Sequence, residues 1–160
     1  MNQWEIVDCM EPLDEGEKNP RIPVYSETEL RQALNRLRGR RPADVLLENP
    51  MTGTLSITIG GPFGAFGWLP RRADMGSKGE IVALPDRIYS PTTIDCVGEG
   101  IPTPIRADEL FPVEDVVEAV VHYYKTSRLP EWIKYREWNP STLTWEIKPA
   151  RIAMRRATAS

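Results

Sequence analysis

Cysteine, histidine and phenylalanine are scarce in this chain of 160 residues: two cysteines (Cys9 and Cys96), one histidine (His122) and three phenylalanines. Two cysteines so far apart form neither a zinc-ligand spacing nor the disulfide framework of a small secreted domain. A reducing, cytoplasmic setting is the simplest expectation. With one histidine, any triad or general-base scheme depends on His122 alone. No apolar run approaches the roughly 18 residues of a membrane span. The opening MNQWEIVDCMEPLDEGE is acidic and lacks the basic and apolar regions of a signal peptide. The expectation is a protein with no membrane contact, no metal and no cofactor.

What is present is a globular composition, 41% apolar and 27% charged, of a length that fits one domain with a real core. Fifteen prolines cut it into short elements. The net charge is only −3, but the charges fall in blocks. Residues 1–35 hold eight acids against three bases, and residues 88–120 hold seven acids against Arg106 alone. Residues 121–160 reverse this, with eight bases against three acids. Acidic blocks attract a cationic partner, such as a protein that itself binds nucleic acid. The cluster Arg36, Arg38, Arg40 and Arg41 lies at a helix end, where it complements the helix dipole. It lacks the interleaved aromatics of a nucleic-acid patch, and no nucleic-acid partner is expected.

The clearest helix lies near 112–127. Val113, Val116, Val117, Val120, Val121 and Tyr124 form one apolar stripe. Pro112 suits its first turn, and the segment from Trp132 to Trp138 then alternates like a strand. A second helix near 27–38 opens on Ser26-Glu27-Thr28-Glu29, a capping box, with Tyr25 and Leu30 placed for a hydrophobic staple. It buries Leu30, Ala33, Leu34 and Leu37 and ends at Gly39. Strands are expected at Trp4–Cys9, Val45–Glu48, Thr54–Ile59, Phe63–Leu69, Ile81–Leu84, Arg87–Tyr89, Thr93–Val97 and Leu143–Ile147. The three from Val45 to Leu69, joined by short turns, read as an antiparallel meander. Glu11–Pro23 reads as a loop. Ile101–Arg106 is extended, but Pro102 and Pro104 bar it from a central strand.

Candidate chemistry is thin. The glycines of Gly60–Gly67 run into a strand with no following lysine, so no phosphate-binding fingerprint applies, and close packing explains them better. A hydrolase alternative would pair His122 with Cys9 or Cys96, or use two carboxylates, but no motif supports either. A regulatory or scaffold module is a further alternative.

The order Leu110-Phe111-Pro112-Val113-Glu114-Asp115 into a helix, Leu129-Pro130, then a strand from Trp132 to Trp138, resembles the immunity-protein family conventionally numbered one in bacterial polymorphic toxin systems. Gly53–Gly61 and Gly64–Leu69 match that family's central strand pair. The resemblance covers roughly Val45 to Trp138. It implies a non-enzymatic protein that protects its producer by binding and blocking the C-terminal domain of a cognate toxin, often a deaminase or nuclease; a small-molecule ligand is not expected. The overall expectation is an α+β fold: an antiparallel sheet of about five to seven strands with two main helices packed on it. Residues 1–148 form a single domain, and 149–160 a basic, flexible tail. Carboxylates able to occupy a basic toxin cleft are Asp95, Glu99, Asp108 and Glu109, in turns and loops flanking 101–106. Trp68 is the candidate for an apolar contact.

Overall fold

The computed structural model describes residues 3–152. Eleven strands and two long helices follow in the order β1 (Trp4–Asp8), β2 (Arg21–Val24), α1 (Glu27–Arg38), β3 (Ala43–Glu48), β4 (Thr54–Ile59), β5 (Phe63–Leu69), β6 (Ile81–Leu84), β7 (Ile94–Gly98), β8 (Ile101–Ile105), β9 (Phe111–Pro112), α2 (Val113–Thr126), β10 (Lys134–Asn139) and β11 (Thr144–Lys148). The main path of the sheet runs β11-β10-β6-β5-β4-β3-β1-β2, with β7 joining β3 and β8, and β9 joining β5. Every pairing is antiparallel except the single β3–β7 bridge at Ala43 and Val97. The fold is α+β as expected, with the 45–69 meander in place.

Eleven strands exceed the expected five to seven. The surplus comes from short, proline-bearing pieces that a pattern assigns to loops. β2 lies inside the segment expected to be a loop, and β9 is a two-residue bridge. Their prolines do not prevent pairing because one side of each strand needs no partner. In the other direction, Arg87–Tyr89 forms no strand: Arg87 stacks on the Tyr89 ring and the Tyr89 hydroxyl bonds Asp86.

α1 starts where its capping box lies. The Glu29 N–H donates to Ser26 Oγ at 3.1 Å, and Glu29 Oε2 reaches back to the Tyr25 N–H at 2.9 Å. The staple does not form, for Tyr25 is 73% exposed while Leu30 is fully buried. α2 is rotated slightly from its expected stripe. Val113, Val116, Val120 and Val121 are buried, but so are Ala119 and Tyr123, while Val117 and Tyr124 lie half-buried at the border. The buried face is wider because α2 packs against α1 and Trp4 as well as the sheet; the Trp4 ring meets Tyr123 and Tyr124 edge-on at 5.7 and 5.6 Å.

The two helices lie antiparallel and are clipped by opposite charges at both ends. Lys125 of α2 meets Glu27 of α1, and Arg38 meets Glu114 at 2.7 Å, with Arg31–Glu118 between them. The core fills the space between these helices and one sheet face: Val45, Leu47, Leu55, Ile57, Ile59, Phe66, Ala83 and Tyr135 point into it. Trp138 is half-buried on the other face, against Trp145. On that face Cys96 of β7 packs over Asp44 and Thr58. At the start of the expected tail, the N–H groups of Arg151 and Ile152 both donate to the Glu131 carbonyl. The rest of the expected tail, with Arg155 and Arg156, lies outside the described residues.

Candidate partner-binding surface

The four candidate carboxylates do not form one patch. Asp95 is exposed on β7, and Glu99 is exposed at the turn into β8. Asp108 and Glu109 lie in a short 3-10 turn beyond the far end of β8, roughly 17 Å from Glu99 for a five-residue strand. They are also engaged. Asp108 pairs with Arg106 at 2.5 Å, and Glu109 meets Arg136 of β10 at 2.9 Å with its side chain only 17% exposed. Glu109 thus ties the segment after β8 to the sheet. The same reduction applies to Glu114 and Glu118, whose partners are the arginines of α1. Of the acidic block 88–120, Asp95 and Glu99 are the carboxylates aimed outward with no ion pair among the described residues.

What the fold adds to them comes from the other end of the chain. The N–H groups of Glu99 and Gly100 donate to the carbonyls of Cys9 and Met10, at 2.7 and 2.9 Å, and Gly100 packs on Pro12. The start of the loop between β1 and β2 therefore sits against the β7–β8 turn, and that loop carries the exposed acids Glu11, Asp14, Glu15 and Glu17, with Lys18 the base among them. These four acids were legible in sequence as part of an acidic N-terminal block. Nothing local marked the start of their loop as a neighbour of residue 99. The half-buried Cys9 thiol beside that contact is pushed up to about 11, by burial first and then by the carboxylates of Asp44, Asp8, Glu99 and Glu48. Two of these are neutralised: Glu48 pairs with Arg21 at 2.7 Å, and Arg40 grips both oxygens of Asp8 at 2.7 Å and holds its carboxyl below the usual range. That bidentate pair gives part of the arginine cluster a structural role.

Trp68 stands at the opposite ends of the central strands, in the wall of a cleft of about 670 Å³. Its indole N–H donates to the Tyr123 hydroxyl at 3.1 Å, which donates in turn to the Gly53 carbonyl at 3.0 Å. Gly53 is pressed against the indole so closely that a Cβ there would collide with the ring. Trp68 is therefore half-buried and fixed on two sides. The cleft mouth carries Arg71, Lys78, Arg128, Lys148 and Arg151 against Asp74, Glu131 and Glu137, so charge is segregated between the two strand ends.

The hydrolase alternative finds no assembled machinery among the described residues. His122 lies edge-on to Trp132 at 4.9 Å, and burial lowers its pKa. The Cys96 thiol donates to Asp44 at 3.0 Å and is raised to about 12, chiefly by burial. Both thiols are held protonated, the reverse of nucleophile activation. No three His, Cys, Asp or Glu side chains cluster as metal ligands among the described residues, and no helix there is long and apolar enough to cross a membrane.

A family model for immunity protein Imm1 matches residues 19–145. The chain belongs to the Imm1 immunity protein family. The match runs from just before β2 into β11, so it takes in both helices and the whole β3–β10 framework. Comparison with curated proteins returns no match. Membership indicates a toxin-neutralising protein whose partner is a cognate toxin, a role for which the family is typically non-enzymatic. Within that framework the glycines of Gly60–Gly67 have steric roles. Gly60 and Gly61 take positive φ in the β4–β5 turn, and a Cβ on Gly64 would come within 2.5 Å of the Thr58 carbonyl.

Proposed function

We propose that this chain binds the C-terminal domain of a cognate bacterial toxin in the cytoplasm of its producer and blocks an active site that acts on nucleic acid. The acidic end formed by Asp95, Glu99 and the loop between β1 and β2 is the contact surface. A deaminase or nuclease domain carries a basic cleft, because phosphate contacts supply much of its affinity. Carboxylates on a rigid frame fill such a cleft without chemistry of their own.

The observation that carries the reading is Glu99. Its φ is 51°, and Gly100 follows at 78°, the left-handed pair of a tight two-residue hairpin turn. Asparagine or glycine suits the first position better, and a glutamate there costs backbone energy. The turn nonetheless presents a carboxylate, at a point braced by two hydrogen bonds to the 9–12 segment. Asp108, Glu109 and Trp68 are structural in this reading. The acids Glu11, Asp14, Glu15 and Glu17 lie outside the residues the family model matches, which suits a surface that singles out one toxin.

The test is stopped-flow association with the co-encoded toxin domain over a range of salt. Acid-to-basic-cleft encounter is electrostatically steered, and its on-rate falls steeply with ionic strength. Replacing Asp95, Glu99 and Glu15 by lysine should slow association at least tenfold at low salt and leave the far-UV spectrum unchanged. An on-rate flat in salt and unchanged in the triple variant defeats the acidic-end assignment. Failure to bind any toxin encoded beside it defeats the function itself.

A further inference from the structure

Among the described residues four strands pair on one side only, β2, β8, β9 and β11; β9 is a two-residue bridge, and the hydrogen-bond phases of the other three edges differ. Asp8 donates its N–H to the Pro20 carbonyl, so the even-numbered residues of β2 face β1. Pro23 therefore turns its missing N–H outward. Val97 donates to the Pro42 carbonyl, away from β8, which makes Val97–Pro102 a non-hydrogen-bonded pair. Pro102 and Pro104 thus also face outward. Two of these three longer edges are closed to strand addition by proline.

β11 is open. The Trp138 N–H donates to the Glu80 carbonyl on the β6 side, so Trp138–Trp145 and Arg136–Ile147 are non-hydrogen-bonded pairs of the β10–β11 hairpin. Trp145 and Ile147 consequently direct their N–H and C=O groups to the free edge, and no described residue pairs with them there. Their side chains stand on the face away from the helices and are 41% and 59% exposed. Trp145 is held in place, edge-on to Trp138 at 5.4 Å and under the Arg136 guanidinium at 4.6 Å, with Arg136 in turn fixed by Glu109.

We propose that β11 pairs antiparallel with β11 of a second copy of this chain, joining two sheets across a two-fold axis at Ile147. Charge selects this occupant and this register. Glu146 and Lys148 share the helix-side face and already lie 3.1 Å apart. An axis at Ile147 sets Glu146 against Lys148 of the second copy, and the same pair recurs across the two-fold. The closest side-chain approach in a sheet belongs to such non-hydrogen-bonded pairs. The neighbouring register, with its axis at Glu146, opposes two glutamates. Shifting the axis to Trp145 requires Leu143 to pair, and its φ of 57° takes it out of strand geometry. On the opposite face Ile147 meets its own copy, flanked by the two tryptophans. The contact is a small one, so association is weak and reversible. It does not depend on which surface takes the toxin.

Sedimentation velocity of the full chain, from low to several hundred micromolar, tests this. The wild type should pass from monomer to dimer across that range. Ile147→Pro removes an outward N–H that bonds nothing among the described residues, and should remain monomeric with an unchanged far-UV spectrum. Glu146→Lys opposes lysines across the axis and should weaken the dimer at least tenfold; the double exchange Glu146→Lys with Lys148→Glu should restore it. The two charge variants decide the matter even if the proline variant does not fold. A wild type that stays monomeric throughout, or a dimer indifferent to both Ile147→Pro and Glu146→Lys, overturns the proposal. So does a monomeric wild type that loses toxin binding on Ile147→Pro, since the edge then belongs to the toxin.

Discussion

Glu99 donates its backbone N–H to the carbonyl of Cys9 at 2.7 Å, and that bond with its neighbour joins two acidic stretches from opposite halves of the chain. Neither stretch alone is a surface. Together they give one end of the molecule a concentration of carboxylates, while the cleft beside Trp68 holds most of the basic groups at the other end. The arrangement separates exposed acids, proposed to meet the toxin, from acids that hold the fold, and the separation can be measured.

Glu109 and Glu99 should respond oppositely to neutralisation. Glu109→Gln weakens a largely buried pair to Arg136, whose Nε already lacks a partner. Stability should fall by about 1–3 kcal/mol, read by urea denaturation, with the toxin on-rate little changed. Glu99→Asn should leave stability equal or slightly higher, because asparagine accepts positive φ more readily, while slowing toxin association. Equal stability losses in the two variants would show that the distinction between binding and structural acids is misplaced.

The Tyr123 hydroxyl is a second point of leverage. It satisfies the Trp68 indole and the Gly53 carbonyl from a side chain that is 1% exposed. Tyr123→Phe strands both groups and should cost about 1–3 kcal/mol, a fall in Tm of roughly 2–10 °C for a chain of this size. Val116→Ala, at a fully buried position, should cost about 2 kcal/mol, and Val117→Ala at the border distinctly less. Calorimetry ranking Val117 above Val116 would contradict the observed rotation of α2.

His122 sets a pH dependence. Burial lowers its folded pKa below 6.5, so the unfolded chain binds the proton more readily. The stability it contributes is complete above the unfolded value and is lost as pH falls through 6.5 toward the folded value. Asp8, Glu27, Asp74 and Glu146 have lowered pKa values and lose their contribution only at more acid pH. Melting temperature should therefore decline between about pH 7 and pH 5, and His122→Phe, which keeps a ring against Trp132, should flatten that decline. An identical slope in the variant would assign the effect to another group.

The sequence by itself determined the elements whose causes are local. The capping box at Ser26 and Glu29, the helix of α2, the glycine turn at 60–61 and the alternation of Thr54–Ile59 all depend on residues within a few positions of one another, and each stands where its pattern put it, though packing turned α2 slightly about its axis. The family was legible for the same reason, since its glycine, tryptophan and Leu-Phe-Pro-Val-Glu-Asp motifs are local. Tertiary structure decided what depends on facing. Whether Pro23, Pro102 and Pro104 break a strand or cap an edge depends on which side has a neighbour, and so the strand number was underestimated. Whether a carboxylate is free depends on arginines brought from far along the chain: Arg136 took Glu109 and Arg38 took Glu114, while the fold set Glu99 against Cys9 and Met10, where the acidic loop begins. Charge pairing acts through space at contact distance, and sequence separation carries no record of that distance until the sheet has formed.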